Sequence, residues 1–420
     1  MNLDCLRIQG GKPLYGRITI SGAKNSALAL IVGAALGEEP VVLENIPDNT
    51  DVHVIFDLLR EVGVTVQSLD KGKWSVDGST LNSSKASYEL ARKLRASFYL
   101  AGLLLAKRHE AVVPLPGGCF LGPRPVNFHL KGFQAFGAEV AIEHGCMIGK
   151  ITKPQGTRFF INRSSMGTTV NLLYLAVLTP GTTILENAAK EPEIVDLAVM
   201  LNCMGAKIRG AGTDVIRVQG VKSLHGTDYS IIPDRIEAGT YMAMVAATGG
   251  DVTLENVMSE HIRATITKLR EVGAEIEEGE TSVRIQMEGR PKATDIETAP
   301  YPGFPTDMQQ PIGALLVSAD GTSVIRETVY ESRFNYLNEL VRMGADVRFE
   351  RDRAIIKGIE RLSGAPVEAF DLRAGAAMVL AGLSAEGETV VSQVDRIDRG
   401  YEKIEEKLTA VGAVICRESV

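Results

Sequence analysis

A chain of 420 residues is long for one core and suits two domains of about 200 residues each. Its 45% hydrophobic and 23% charged content is that of an ordinary globular protein, and a net charge of −7 excludes a general nucleic-acid binder. Five scattered cysteines without a Cys-x-x-Cys pair point to reduced thiols, a cytoplasmic home and no structural zinc.

The opening MNLDCLRIQGGKPL lacks a basic start followed by an apolar core, so no signal peptide is read there. The best apolar run, 27–36, is far short of the ~18 residues that suggest a membrane span. From Val41 onward one pattern recurs six times: apolar strand, polar turn, amphipathic helix, glycine, strand. The first copy is VVLENIPDNTDVHVIFDLLREVGVTV, and the third is TILENAAKEPEIVDLAVMLNCMGAKI. The helix-ending glycines are Gly63, Gly137, Gly205, Gly273, Gly344 and Gly412, spaced by roughly 70 residues. A period that long is a supersecondary unit of its own, which gives three repeats to each half of the chain. The phase also leaves the sixth copy without its closing strands at Val420.

A second helix set alternates with the first. Its members start near Lys24, Arg95, Ser165, Asp234, Asp307 and Asp371, and they are apolar nearly all round, as buried helices are. Each opens on polar or charged residues, and a helix N-terminus favours anions. Arg124 and Arg399 each stand 13 residues before their helix-ending glycine, and Arg333 is two residues off that register. Lys24, Arg95, Arg124, Arg333, Arg373 and Arg399 would make a cationic cleft for a phosphate or carboxylate ligand. The plainer alternative is that Asp234 and Asp371 are N-caps and the arginines structural ion pairs.

The second copy, LPGGCFLGPRPVNFHLKGFQAFGAEV, departs from the pattern. Its Pro- and Gly-rich stretch can be neither helix nor central strand, so it reads as a lid-like loop with Cys119 at its centre. A thiol near cations has a lowered pKa, poised as proton donor or nucleophile. Cys5, Cys146, Cys203 and Cys416 read as small buried hydrophobes. The six histidines show no ligand spacing, and there is no GxGxxG after a strand and no P-loop, so no metal or cofactor is expected.

Nine motifs in order resemble the UDP-N-acetylglucosamine enolpyruvyl transferases. They are SGAKN at 21–25, RAS at 95–97, PGGC with GxRPV at 116–126, EPEIVD at 191–196 and PDRIE at 233–237. FPTDMQ at 304–309, ETV with SRF at 327–334, DLRA at 371–374 and DRGYEKIEEKL at 398–408 complete the set. The likeness runs from Gly10 to about Ile415. It implies an α/β fold of two inside-out α/β barrel domains, three repeats each, with the active site between them. The domains would be 22–231, carrying the Cys119 loop, and 1–21 plus 232–420. Taken with the repeat phase, the resemblance leads to the expectation that the first strand, before Ser21, crosses over and completes the second half.

The resemblance further implies enolpyruvyl transfer from phosphoenolpyruvate to the 3-hydroxyl of UDP-N-acetylglucosamine, the first committed step of peptidoglycan synthesis. Cys119 would deliver a proton and be the target of fosfomycin. Asp307 would take the sugar hydroxyl proton. Lys24, Arg124 and Arg399 would hold the phosphate, and Arg333 and Arg373 the carboxylate and developing charge. Asn25 and Arg95 would contact the nucleotide sugar. Arg124, Pro125, Val126, Asn127 and Phe128, with Arg163, Ser165 and Gly167, would cradle uracil and diphosphate. Val329 and Asp371 complete the expected substrate contacts. Neither nucleic acid nor membrane is an expected partner, and a monomer is plausible. The chain departs from the family at Asn127, usually Asp, at Arg163, usually Lys, and after Asn25, where a common Pro is missing. These departures keep two alternatives in view: transfer to a different nucleotide sugar, or a non-catalytic binding paralogue.

Overall fold

The computed structural model describes residues 4–116, 126–330 and 333–419. Each repeat folds for the same local reasons. In the first, Asn49 caps the helix Thr50–Glu61 by accepting a bond from the Val52 N–H at 3.0 Å, and Asp51 adds negative charge to the first turn. The helix ends at Gly63, whose φ of 93° is left-handed. Gly63 N–H returns to Arg60 O and Val64 N–H to Leu59 O, the paired bonds of a Schellman turn. The same pair of bonds recurs at Gly205, Gly273, Gly344 and Gly412, while at Gly137 the glycine bond to Gln134 O is formed. All six glycines have φ between 93° and 105°.

The sheets obey one plan. A repeat's first strand pairs antiparallel with its last, which pairs antiparallel with the middle one; a strand from elsewhere joins the first in parallel. Thus Val41–Glu44 pairs with Lys73–Asp77, that strand with Thr65–Asp70, and Asp228–Ser230 adds in parallel to Val41–Glu44. The second repeat has three strands, with the parallel position marked by a bridge from Lys85 to Val112.

The described chain divides into two compact units, one of 22–116 and 126–232, the other of 4–21 and 233–419. The second unit needs the amino terminus. Asp4–Gln9 takes the last-strand position of the sixth repeat, between Glu388–Ser392 and Val414–Ser419. Leu14–Thr19 supplies the parallel strand to Gly250–Glu255.

Within each unit three helices lie inside and the sheets outside. In the first these are Lys24–Ala34, Tyr99–Arg108 and Met166–Leu178; in Lys24–Ala34 every residue but Asn25 is buried. Their buried Leu, Ile and Val side chains each contribute about 1.5–3 kcal/mol by leaving water. In the second unit Arg235–Thr248, Gln309–Leu316 and Leu372–Ser384 pack on one another.

Two expectations need correction. Cys203 and Cys416 are exposed, because they face outward from the repeat helix and strand; Cys5 is buried and Cys146 half-buried. All four are free thiols. The outer helices are also unequal. Thr50–Glu61 and Pro192–Cys203 have 12 residues each, but Tyr336–Arg342 and Ile404–Ala410 have only 7. Arg333 and Arg399 therefore sit in turns that precede a shortened helix rather than on the helix itself. At Arg399, the following Gly400 and a left-handed Lys403 (φ 49°) stand where the first helical turns would be.

Candidate active site

The second unit gathers its candidate residues at the starts of its three buried helices. Asp307 lies in a short 3-10 turn, Thr306–Met308, just before Gln309–Leu316. Its Oδ1 is 2.7 Å from Arg333 Nη2 and its Oδ2 is 3.4 Å from Arg373 Nη2. The two guanidinium side chains are 4% and 2% exposed. Burial opposes the charge of Arg333, yet Asp307 and Asp371 hold its pKa above the ordinary value. Burial likewise opposes the charge of Arg373, and the oxygens of Tyr401, Asp307 and Asp234 raise its pKa.

Arg373 lies 5.2 Å from the centroid of the Tyr401 ring. Thr240 gives its hydroxyl proton to Ile236 O, so Tyr401 donates to Thr240. Arg373 Nε and Nη1 and Arg333 Nε are buried without a hydrogen-bond partner among the described residues. Such donors in a dry site carry a penalty that an anion relieves.

Asp371 and Asp234 do serve as N-caps. Asp371 Oδ1 accepts from the N–H groups of Arg373 and Ala374, and its Oδ2 accepts from Gln310 at 3.1 Å. Asp234 caps Arg235–Thr248 in the same way. Val329 is half-buried, and its N–H donates to Glu327. Arg399 is half-buried in its turn.

In the first unit Lys24 opens its helix and pairs with Asp51 at 2.7 Å, where Asp51 is 2% exposed. Asn25 is half-buried beside it. Ser26 donates to Asp196, which also accepts from Tyr229 at 2.6 Å. Burial dominates there and lifts the Asp196 carboxyl to about 6 despite those bonds. Arg95 begins the 3-10 turn Arg95–Phe98 that leads into Tyr99–Arg108. Ser165 caps Met166–Leu178, accepting from Thr168 N–H at 3.3 Å. Arg163 and Asn127 are exposed, Gly167 and Phe128 are half-buried, and Val126 is buried.

Asn171 links these helix ends. Its Oδ1 accepts from Gly102 N–H, an otherwise orphan donor in the first turn of Tyr99–Arg108. Its Nδ2 donates to Phe98 O and lies 3.0 Å from His129 Nδ1. An amide nitrogen has only protons to offer, so His129 Nδ1 accepts and the ring proton sits on Nε2. Burial, then the Arg95 charge, pushes the His129 pKa down to about 4, so the ring is neutral near pH 7.

Cys119, Arg124 and Pro125 lie outside the described residues. The sequence did not single out Asp51, Thr306, Glu327, Tyr401, Asn171 or His129. Each acts through a partner distant in the chain, which spacing cannot show. A groove of about 580 Å³ in the second unit, lined by Lys268, Glu297, Phe304 and Arg326, carries both charge signs and none of the candidate residues.

The chain matches the EPSP synthase (3-phosphoshikimate 1-carboxyvinyltransferase) family over residues 8–408. It is 52% identical to UDP-N-acetylglucosamine 1-carboxyvinyltransferase 2 of Symbiobacterium thermophilum, covering 98% of this chain and 97% of that one. It is 48% identical to a UDP-N-acetylglucosamine 1-carboxyvinyltransferase of Clostridium botulinum, covering 98% and 99%. Among solved structures, the enolpyruvyl transferase NikO from Streptomyces tendae superposes with a TM-score of 0.89 at 23% identity, over all of both chains. That last likeness speaks for the fold, a two-domain α/β enolpyruvyl transferase architecture. Identity near one half over almost the entire length goes further: the chain belongs to the UDP-N-acetylglucosamine 1-carboxyvinyltransferases, within the EPSP synthase family.

Proposed function

We propose that the chain transfers the enolpyruvyl group of phosphoenolpyruvate to the 3-hydroxyl of UDP-N-acetylglucosamine, with release of phosphate, as the first committed step of peptidoglycan synthesis in the cytoplasm. The observation that carries the reading is the Asp307 carboxylate clamped by two buried guanidiniums that keep donors to spare. A carboxylate is a base for a hydroxyl, and buried arginine donors suit an anionic co-substrate.

The reaction is an addition followed by an elimination. The sugar oxygen bonds to C2 of phosphoenolpyruvate as Asp307 takes the hydroxyl proton and Cys119 gives a proton to the C3 methylene. The C2–O bond to phosphate then breaks, and C3 returns a proton to restore the double bond. Arg333 and Arg373 stabilise the carboxylate and the charge of the tetrahedral intermediate. Lys24, Arg124 and Arg399 hold the phosphate, and Asp51 fixes Lys24 in place. Asn25, Arg95, Val329 and Asp371 position the acceptor. Val126 to Phe128, with Pro125, Arg163, Ser165 and Gly167, receive its nucleotide. Fosfomycin acts on Cys119.

Phosphate release from phosphoenolpyruvate tests this, with and without UDP-N-acetylglucosamine and with and without fosfomycin. Release that needs the nucleotide sugar and stops with the drug is expected. Release without the nucleotide sugar, or none with it, removes the assignment.

A further inference from the structure

Glu327 is a carboxylate 1% exposed whose oxygens accept from neutral hydroxyl and backbone donors. Burying such a group is expensive unless its oxygens are fully hydrogen-bonded. Here they are. Oε1 accepts from Thr298 Oγ1 at 2.7 Å, from Val329 N–H at 2.8 Å and from Tyr330 N–H at 2.9 Å. Oε2 accepts from Thr306 Oγ1 at 2.9 Å. The Thr306 oxygen accepts in turn from Arg333 Nη1 at 2.9 Å, and Arg333 Nη2 reaches Asp307 at 2.7 Å. A guanidinium held by one carboxylate oxygen can swing about that contact; a second acceptor fixes its plane. Arg333 Nε, the nitrogen left without a partner, is aimed by this second bond.

We infer that Glu327 and Thr306 are positioning residues, a buried relay that orients Arg333 against Asp307 and fixes the backbone of Val329 and Tyr330. The inference rests on the proposed reaction for its catalytic consequence, though not for the contacts themselves. The relay has a polarity. Thr306 has one proton, and it gives that proton to Glu327, which leaves its oxygen for Arg333. Neither end of the relay bonds to the reacting groups except through Arg333.

Glu327→Gln reverses the polarity at constant volume. Three donors converge on Oε1, so the amide nitrogen must face Thr306. It then competes with Arg333 for the same oxygen, while the Thr306 proton loses its acceptor. Thr306→Val deletes the link, and Thr306→Ser keeps it.

The experiment measures kcat and both KM values for Glu327→Gln, Thr306→Val, their double variant and Thr306→Ser, with unfolding midpoints for each. Glu327→Gln and Thr306→Val should each lower kcat on the order of 100-fold, the scale of a modest misplacement of a catalytic group. KM for the nucleotide sugar should hold. The double variant should lose no more than either single one, since both break one link. Thr306→Ser should restore kcat. Wild-type kcat in the first two variants, even with lowered midpoints, would make the cluster structural only and overturn the inference. Losses that multiply in the double variant would overturn it too. A midpoint cycle between Thr306→Val and Arg333→Met reads the link without substrate: non-additive shifts support it and additive shifts refute it. A wild-type chain without transferase activity would sink the proposed reaction, and the cycle would still decide the relay.

Discussion

In the second unit the half-buried Asp307 pairs with the buried guanidiniums of Arg333 and Arg373, a cluster braced by Glu327 through Thr306 on one side and by Tyr401 on the other. In the first unit the candidate residues are dispersed: Lys24 lies against Asp51, Arg95 starts a different helix, and Arg163 is exposed. Both sets stand at the starts of buried helices, so the same sixfold plan has been used in two ways. Where cations are buried, they are fixed before any ligand arrives, and little reorganisation remains for the chemical step. Where they are exposed, ordering a long side chain takes up to about 2 kcal/mol of rotamer entropy when a ligand binds. The contrast divides a preorganised pair of guanidiniums in the second unit from a first-unit set in which Lys24 is held by Asp51 but Arg163 is not buried.

The strongest way to break that division is Asp307→Ala. It removes both the proposed base and the partner of two buried guanidiniums. Turnover should fall by roughly 10²–10⁴-fold, the range for losing a general base, while nucleotide-sugar binding persists in calorimetry. Retained turnover would strip Asp307 of its role.

The matching change in the first unit is Asp51→Asn, which leaves Lys24 in place but weakens its 2.7 Å ion pair. The loss should be smaller, about tenfold in kcat/KM for phosphoenolpyruvate, equivalent to one charge-assisted hydrogen bond. A loss as large as that of Asp307→Ala would mean that the first unit is as preorganised as the second.

The first unit also contains two buried titrating groups of opposite sign. Below pH 6.5 an unfolded histidine takes up a proton, but His129 resists until about 4. It therefore withdraws stability as pH falls through that window, by at most roughly 3 kcal/mol. Asp196 does the reverse. Its folded carboxyl takes up a proton near 6, well before the unfolded value near 3.8, so stability is gained as pH falls from 6 toward 4. The two offset each other in the wild-type chain. His129→Gln should make the chain relatively more stable at pH 4.5 than at pH 7, and Asp196→Asn relatively less. Urea unfolding of both variants at the two pH values checks the signs; equal shifts in one direction would contradict the assigned burial.

How much of this was legible beforehand follows from the range of each interaction. The six turn glycines, the apolar inner helices and the caps at Ser165, Asp234 and Asp371 are local features, written in a few adjacent residues. The strand crossover of Asp4–Gln9 was expected from the repeat phase taken together with the family resemblance, and the strand does sit between Glu388–Ser392 and Val414–Ser419. The Glu327 to Thr306 bond spans 21 residues and that of Asn171 to Gly102 spans 69, and no spacing rule anticipates either. The exposed Cys203 was misjudged because residue type was weighed ahead of its place on the outer face of Pro192–Cys203. The shortening of the helix after Arg399 was not legible, because it depends on Gly400 and a left-handed Lys403 adopting turn geometry.

The smallest effect tests whether the two units share their framework as closely as the sheet plan indicates. Gly63 and Gly412 end equivalent helices with φ of 93° and 97°. At Gly412 an added Cβ meets nothing within 4 Å, so Gly412→Ala registers only the left-handed backbone, about 1 kcal/mol. At Gly63 the same atom would lie 2.4 Å from Asn82 Oδ1, the end of a side chain whose backbone N–H also bonds Val62 O. Gly63→Ala must therefore move Asn82 as well, and its loss should exceed that of Gly412→Ala, with kcat unchanged in both. Chemical denaturation of the two variants supplies the comparison. Equal losses would mean that Asn82 swings aside freely and that the backbone conformation alone sets the cost in either unit.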